Sequence, residues 1–127
     1  MSFNTAFVKD KELQLRERGT AATATETGSG TQIKYVGATN ITLRCVMSVA
    51  SITISTGDSQ TYVLKLQESS DGSTSWVDIQ GASVDIEEVG NIELHFKLSE
   101  NQDYVRHVLT IGGTSTSVDG DIYVTQE

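Results

Sequence analysis

The side chains that could do chemistry are few and lie far apart in the chain. There is one cysteine, Cys45, and there are two histidines, His95 and His107. A structural zinc site needs about four ligands at suitable spacing, and this set does not supply them. Cys45 and His107 each alternate with apolar residues, which predicts a small buried thiol at Cys45 and a hydrogen-bonded core or interface histidine at His107. His95 lies between charged residues, and we expect it to be solvated.

Carboxylates cluster in two short stretches, Asp85 to Glu88 and Asp119 to Asp121. Paired carboxylates can hydrolyse glycosides or bind calcium, but both uses need particular separations in space. Asp119 to Asp121 is too short for a calcium loop, and we expect a solvated loop there. No Gly-x-Ser-x-Gly elbow is present, and Gly28-Ser29-Gly30 lacks the lysine of a phosphate-binding loop. The sequence therefore predicts no enzyme, no metal site and no cofactor.

Composition restricts the class of protein further. The chain has 127 residues, a formal net charge of -8 and a pI near 4.6, and it contains no proline. This length predicts one domain with its own core, and the acidic balance argues against direct nucleic-acid binding, which needs a basic surface. We see no secretory signal and no run of about 20 apolar residues that could span a membrane. We therefore expect folding in a reducing cytoplasm.

Alternation of apolar and polar residues predicts strands along most of the chain. One strand places Ile41, Leu43, Cys45, Met47 and Val49 on a single face. Ile52 and Ile54 then take the opposite phase, which predicts a bulge or corner near Ser48 to Ser51. A second strand has Ile92, Leu94, Phe96 and Leu98 inward, and a third has Val105, Leu109 and Ile111 inward. Shorter strands are expected at Ile33 to Val36, Val84 to Ile86 and Ile122 to Thr125. About eight to ten short strands are typical of an all-β sandwich or barrel.

A hairpin over Tyr62 to Ile79 organises this pattern. Asp71-Gly72 lies between two alternating runs, and this dipeptide favours a tight hairpin turn. A turn centred on it pairs Leu66 with Val77, Leu64 with Ile79, Lys65 with Asp78, and Gln67 with Trp76. A one-residue bulge would instead reverse the faces of the second strand.

Trp76 is the first candidate contact residue. In this register it lies on the outer face of its sheet, where aromatic residues often mark contact surfaces. The alternative is that a loop or the N-terminal segment covers the ring.

Residues 1–18 differ from the rest and form a separate N-terminal arm in our prediction, followed by a β-sandwich domain at residues 19–127. The arm is charged and contains Phe3, Phe7 and Val8, which we expect to contact a partner together with Trp76. The pattern leaves open whether Lys9 to Arg18 is helix or strand. An extended arm that packs on a neighbour or on its own sheet is the preferred interpretation, and a partly disordered terminus is the alternative.

The stretch Leu66 to Ile79 resembles a hairpin of bacteriophage virion proteins, in which a strand ending in Gln-x-Ser meets Asp-Gly and then Trp-x-Asp. With its length, acidity and all-β pattern, the chain resembles the small jelly-roll cement (decoration) proteins of short-tailed phage heads. The resemblance rests on this hairpin, and no motif of that family is visible in residues 1–18.

This resemblance implies an antiparallel, jelly-roll-like β-sandwich with an N-terminal extension and without catalytic residues. It implies a protein made in the host cytoplasm that joins the outer capsid surface, binding the major capsid protein and further copies of itself as a trimer or dimer. It would hold coat subunits together without touching nucleic acid or membrane. A tail or connector protein is the alternative within virions, and a carbohydrate-binding jelly roll that uses Trp76 and Tyr104 is the alternative of another class.

Overall fold

The computed structural model describes residues 13–33, 42–55 and 59–126. Nine strands carry the fold in these ranges: β1 (Gln14–Arg16), β2 (Glu26–Thr27), β3 (Thr31–Gln32), β4 (Leu43–Ile52), β5 (Thr61–Ser69), β6 (Val77–Asp85), β7 (Gly90–Phe96), β8 (Tyr104–Gly112) and β9 (Val118–Gln126). The predicted all-β class is confirmed. Ile41, and the part of the predicted Ile33 to Val36 strand beyond Ile33, lie outside the described residues, and β3 ends just before Ile33.

The strands form two antiparallel sheets that pack face to face, as predicted for a β-sandwich. Sheet A has the order β1-β9-β4-β7, and sheet B has the order β2-β8-β5-β6, with β3 also paired to β8. Since β2 and β3 lie along the same edge of β8, they act as one interrupted edge strand. Counted in this way the eight strands run 1-8-3-6 in one sheet and 2-7-4-5 in the other, which is a jelly-roll-like arrangement.

The core lies between the sheets and follows the predicted alternation. Leu43, Cys45, Met47 and Val49 of β4 are all buried, and burial raises the pKa of the Cys45 thiol to about 12. Leu94, Phe96 and Leu98 close the core from the β7 side, and Val105 and Leu109 from β8. The pairing of β4 with β9 shifts between Val49 and Ser51, which confirms the predicted bulge.

The hairpin between β5 and β6 forms, but its predicted register is wrong by two residues, a shift that leaves the faces of the second strand unchanged. Val77 lies opposite Glu68 and Asp78 opposite Gln67, so Val77 does not pack on Leu66 and is 52% exposed. The reason is the loop, in which Ser69 and Asp71 together accept hydrogen bonds from the backbone N–H groups of residues 71 to 74. These bonds hold a wide loop in place of a two-residue turn.

Strand β6 also differs from its prediction as a separate Val84 to Ile86 strand. It runs without a break from Val77 to Asp85, and its register against β5 shifts strongly between Lys65 and Gln67 of that strand. Gly81 has a φ of 81° at this irregularity, a conformation that favours glycine. A bulge in β6 therefore joins what the sequence divides into two strands.

Within the described part of the N-terminal arm, residues 13–18, a three-residue strand belongs to sheet A. Gln14–Arg16 form β1 and pair with Tyr123 and Ile122 of β9, so this part is strand and not helix. Leu13 is buried in the core. Phe3, Phe7 and Val8 lie outside the described residues, and their predicted contacts stay predictions.

Candidate contact surface around Trp76

Trp76 lies on the outer face of sheet B, as the sequence predicts, and it is partly buried. The inward positions of β8 are Val105, His107 and Leu109, so Arg106 between them points outward. The guanidinium of Arg106 lies 4.4 Å from the centre of the Trp76 ring system. A cation at this distance from an indole face is held by roughly 0.5–2 kcal/mol.

A loop glycine explains how Trp76 is covered in part. A Cβ atom on Gly30 would lie 2.8 Å from Cη2 and 2.9 Å from Cζ2 of Trp76, so only glycine allows the backbone to approach the ring this closely. A loop therefore covers one edge of the ring, as the alternative interpretation expects, and the rest of the ring remains partly accessible. The role of Trp76 as a contact residue stays a prediction.

Tyr104 is brought to the same end of the sandwich by a second glycine. Gly72, at the tip of the β5–β6 loop, has a φ of 77°, and a Cβ atom there would lie 2.6 Å from Cδ2 of Tyr104. The carbonyl oxygen of Gly72 would in turn lie 3.6 Å from a Cβ on Gly30. We call the group of Gly30, Gly72, Trp76, Tyr104 and Arg106 the Trp76 platform.

A ladder of polar contacts across three strands fixes Arg106. Its Nε donates to Oε1 of Gln67 at 2.8 Å, and Nε2 of Gln67 donates to Oδ1 of Asp78 at 2.9 Å. Nζ of Lys65 lies 3.2 Å from the same Oδ1. The bonds from Gln67 and Lys65 hold the pKa of Asp78 below its ordinary value. This carboxylate is therefore charged, and Gln67 and Lys65 are already bound to it.

The loop that carries Trp76 is organised by Asp71. Its carboxylate accepts bonds from the N–H of Thr74, the hydroxyl of Thr74 and the N–H of Ser73. These bonds hold its pKa well below the usual range for aspartate. Ser75 then adopts a φ of 58°, which turns the chain so that Trp76 reaches Arg106.

A second group of charged residues joins the two sheets, and we call Arg16, Glu26, His107 and Asp119 the inter-sheet ion cluster. Arg16 of sheet A donates to Oε2 of Glu26 in sheet B at 2.8 Å and to Oδ1 of Asp119 at 2.7 Å. Burial opposes the charge of Arg16, but its bonds to these carboxylates outweigh burial and raise its pKa.

The inter-sheet ion cluster corrects the prediction of a solvated loop at Asp119 to Asp121. These residues lie within β9, and Asp121 is 4% exposed. These carboxylates can be buried because Arg16 pairs with Asp119 and Arg18 pairs with Asp121 at 3.4 Å. Sequence alone gives no sign of this pairing, since 103 residues separate Arg16 from Asp119.

His107 confirms the prediction of a hydrogen-bonded core histidine. It is 3% exposed, and its Nε2 lies 2.8 Å from Oε2 of Glu26. Its Nδ1 is buried and has no hydrogen-bond partner among the described residues, and it lies against Gly28, where a Cβ would be 2.5 Å away. Burial lowers the pKa of His107, although the bond to Glu26 opposes this. A neutral ring packed in this way is structural and does not face an open site.

Within the described ranges, no group of three or more histidine, cysteine, aspartate or glutamate side chains could hold a metal ion. The same part of the chain contains no helix long and apolar enough to cross a membrane.

An open cleft of about 510 Å³ lies near the edges of β6 and β7, and its lining includes Gln80, His95 and Lys97. The exposed His95 there agrees with its prediction as a solvated residue. The Trp76 platform is therefore the candidate that the structure supports best.

Comparison with known proteins gives no family for this chain. No protein-family model and no curated protein matches it. Its function must therefore be argued from the residues and their arrangement.

Arg106 and Gly30 are the platform residues that the sequence analysis missed. A weak signal exists for Arg106, because it alternates with the inward residues of a predicted strand. Its partner Trp76 lies 30 residues earlier, however, and only the strand order brings them together. Gly30 gives no signal, since it stands in a low-complexity stretch of threonine, alanine, glycine and serine.

Proposed function

We propose that this chain is a non-enzymatic structural protein of a phage virion, which attaches to the outside of the capsid and stabilises contacts between coat subunits. The observation that carries the proposal is the Trp76 platform. Tryptophan, tyrosine and arginine are the residues enriched at the energetic centres of protein interfaces. Here all three lie on one outer end of a rigid sandwich, with the arginine already oriented by Trp76 and Gln67.

The fold and the hairpin resemblance give further support. A jelly-roll-like sandwich presents the loops of one end as a fixed surface, and the resemblance of Leu66 to Ile79 to virion hairpins includes Trp76 itself. A protein present in many symmetric copies needs no single tight contact, since several weak contacts act together as avidity. We propose the major capsid protein and further copies of this chain as the partners.

A protein partner fits the platform better than a sugar does. Sugar-binding aromatics offer a free ring face, whereas the guanidinium of Arg106 occupies one face of the Trp76 indole. A sugar ring stacked on that face would have to displace Arg106 from Trp76 and from Gln67.

The decisive experiment is the copy number of this chain in native particles. Purified virions would be separated into heads and tails, and the chain would be quantified against the major coat protein. We expect hundreds of copies on the head, in a simple ratio to the coat. A few copies in the tail fraction would favour a tail or connector protein, and absence from particles would contradict a virion role.

The same particle preparation can test the platform. We expect Trp76→Ala to lower head occupancy severalfold, because it removes the central aromatic and the support of Arg106. Val89→Ala is the matched control, since Val89 is an equally apolar side chain, 58% exposed, that precedes β7 at the far end of β6. If both variants occupy heads equally, the Trp76 platform is not the surface through which the chain attaches to the capsid.

A further inference from the structure

Arg106 is partly exposed to solvent, yet two contacts hold its side chain in place. Its Nε donates to Oε1 of Gln67 at 2.8 Å, and its guanidinium carbon lies over the Trp76 ring, 4.4 Å from the ring centre. Both contacts restrict the side chain to one orientation before any partner arrives. An arginine ordered in advance loses less conformational freedom on binding than a free one.

The outer end of this guanidinium has no partner in the part of the chain that the structure describes. Among the described residues, neither Nη1 nor Nη2 of Arg106 makes a hydrogen bond or an ion pair, although Nε does. Asp78, the carboxylate on the neighbouring ladder, already accepts from Gln67 and pairs with Lys65. The positive charge of Arg106 is therefore not neutralised within its own ladder.

We propose that Arg106 binds an aspartate or glutamate side chain of the coat protein, through its two terminal nitrogens. A guanidinium binds a carboxylate through two parallel hydrogen bonds, and these are stronger and more directional than bonds between neutral groups. Trp76 and Tyr104 lie on the same end of the sandwich and would exclude water from the pair. A charged pair at an interface is stronger when aromatic side chains around it keep water away.

This inference rests on the proposed function, because it assigns the carboxylate to the capsid surface. It adds the chemistry of that surface, which the proposed function does not specify. A chain with a net charge of -8 would be repelled by an acidic partner at long range. The local cation at Arg106 therefore fixes the position and orientation of docking.

The test is a binding titration of the full chain onto purified capsids that lack it, measured by co-sedimentation. Arg106→Gln should bind about 30-fold more weakly or worse, because it leaves the coat carboxylate without its partner. Arg106→Lys keeps the charge but loses the planar pair of donors, and its affinity should fall between those of the wild type and Arg106→Gln. Lys97→Gln is the matched control: it removes the same charge from an exposed residue beyond the end of β7, and it should bind like the wild type.

The outcomes separate the two proposals. If the wild-type chain binds capsids and Arg106→Gln binds them within about twofold of the same affinity, the carboxylate assignment is overturned and the capsid role stays intact. Equal losses for Arg106→Gln and Lys97→Gln would overturn it too, because the effect would then be one of net charge. No binding of the wild-type chain would reject both proposals. Near-ultraviolet circular dichroism of each variant, together with Trp76 fluorescence, checks that the platform is folded.

A charge reversal gives an independent readout. Phage that carry Arg106→Glu should lose head occupancy, and selection for its recovery should yield coat variants in which an aspartate or glutamate is replaced by lysine or arginine. Recovery only through changes elsewhere in this chain would contradict a direct contact with the coat.

Discussion

At the scale of single residues, the Trp76 platform depends on glycines as much as on its aromatic side chains. Gly30 and Gly72 each lie where a Cβ would overlap a ring, and each has a positive φ. The sequence points to Trp76, because a tryptophan beside Asp-Gly in an alternating run is conspicuous. It cannot point to Gly30, since the need for glycine there arises only when the ring of Trp76 lies against it.

We predict that Gly30→Ala displaces Trp76 and shifts its fluorescence emission. A Cβ 2.8 Å from the ring forces one of the two to move, and the φ of 100° adds backbone strain. Positive φ at a residue other than glycine costs about 1–3 kcal/mol. The free energy of unfolding from urea titration, read together with the emission maximum, measures both effects.

Gly90→Ala is the matched control for this prediction. Its φ is 122°, but a Cβ there meets no atom within 4 Å. It should lose stability through backbone strain alone and leave the emission of Trp76 unchanged. If both variants show the wild-type emission, Gly30 is not what positions the ring.

At the scale of elements, the alternation of β4, β7 and β8 could be predicted from sequence because one face of each packs on the core. The bulge in β4 could be predicted for the same reason, since the phase of the apolar residues changes there. The register of the β5–β6 hairpin could not be predicted, because Asp-Gly favours a tight turn. In the structure, the side chains of Ser69 and Asp71 accept hydrogen bonds from backbone N–H groups and so stabilise a wider loop.

The edge strand β2 is held to β8 partly by the bond between Glu26 and His107, and this pairing should depend on pH. Burial lowers the pKa of His107 relative to its ordinary value of 6.5, so the unfolded chain takes up a proton at higher pH than the folded chain does. The stability from the neutral ring is therefore complete above about pH 6.5 and is lost progressively as the pH falls below it. The pKa of Glu26 also lies below its ordinary value, because bonds from Arg16 and His107 outweigh its burial, and its contribution is lost only in more acidic solution.

We predict that His107→Gln flattens the fall in stability between pH 6.5 and 5.5. The glutamine can donate to Glu26 but takes up no proton, so the folded and unfolded chains then bind protons equally at this position. Urea unfolding at pH 8.0, 6.5 and 5.5 gives the comparison with the wild type. An unchanged slope in the variant would show that another group causes the acid sensitivity.

At the scale of the whole molecule, the sequence predicts the sandwich but not what closes it. The all-β class and the antiparallel sheets follow from short alternating strands separated by turn residues. The inter-sheet ion cluster does not follow, because Arg16 and the carboxylates of β9 come from opposite ends of the chain. From the sequence alone, the carboxylates of β9 are expected to be solvated. Only the pairing of β1 with β9 shows that they are buried beside the arginines of the N-terminal segment.

This placement of β1 leads to a prediction about where the N-terminal arm can be removed. Deleting residues 2–18 takes away Arg16, Leu13 and all of β1, and the loss of one partner of a buried ion pair alone costs about 3–5 kcal/mol. We expect that shorter chain to unfold at a much lower temperature than the wild type. Deleting residues 2–12 keeps β1 and the inter-sheet ion cluster, and we expect its melting temperature to stay within a few degrees of the wild type.

The shorter deletion therefore isolates the contribution of Phe3, Phe7 and Val8 to assembly. If these residues contact neighbouring subunits, the chain without residues 2–12 should fold and bind capsids more weakly than the full chain in the same co-sedimentation assay. Wild-type occupancy by that deletion would remove the arm from the interface and leave the Trp76 platform as its centre. Because deletion of residues 2–18 would lower occupancy through unfolding alone, only the cut after Glu12 can distinguish an assembly contact from a folding defect.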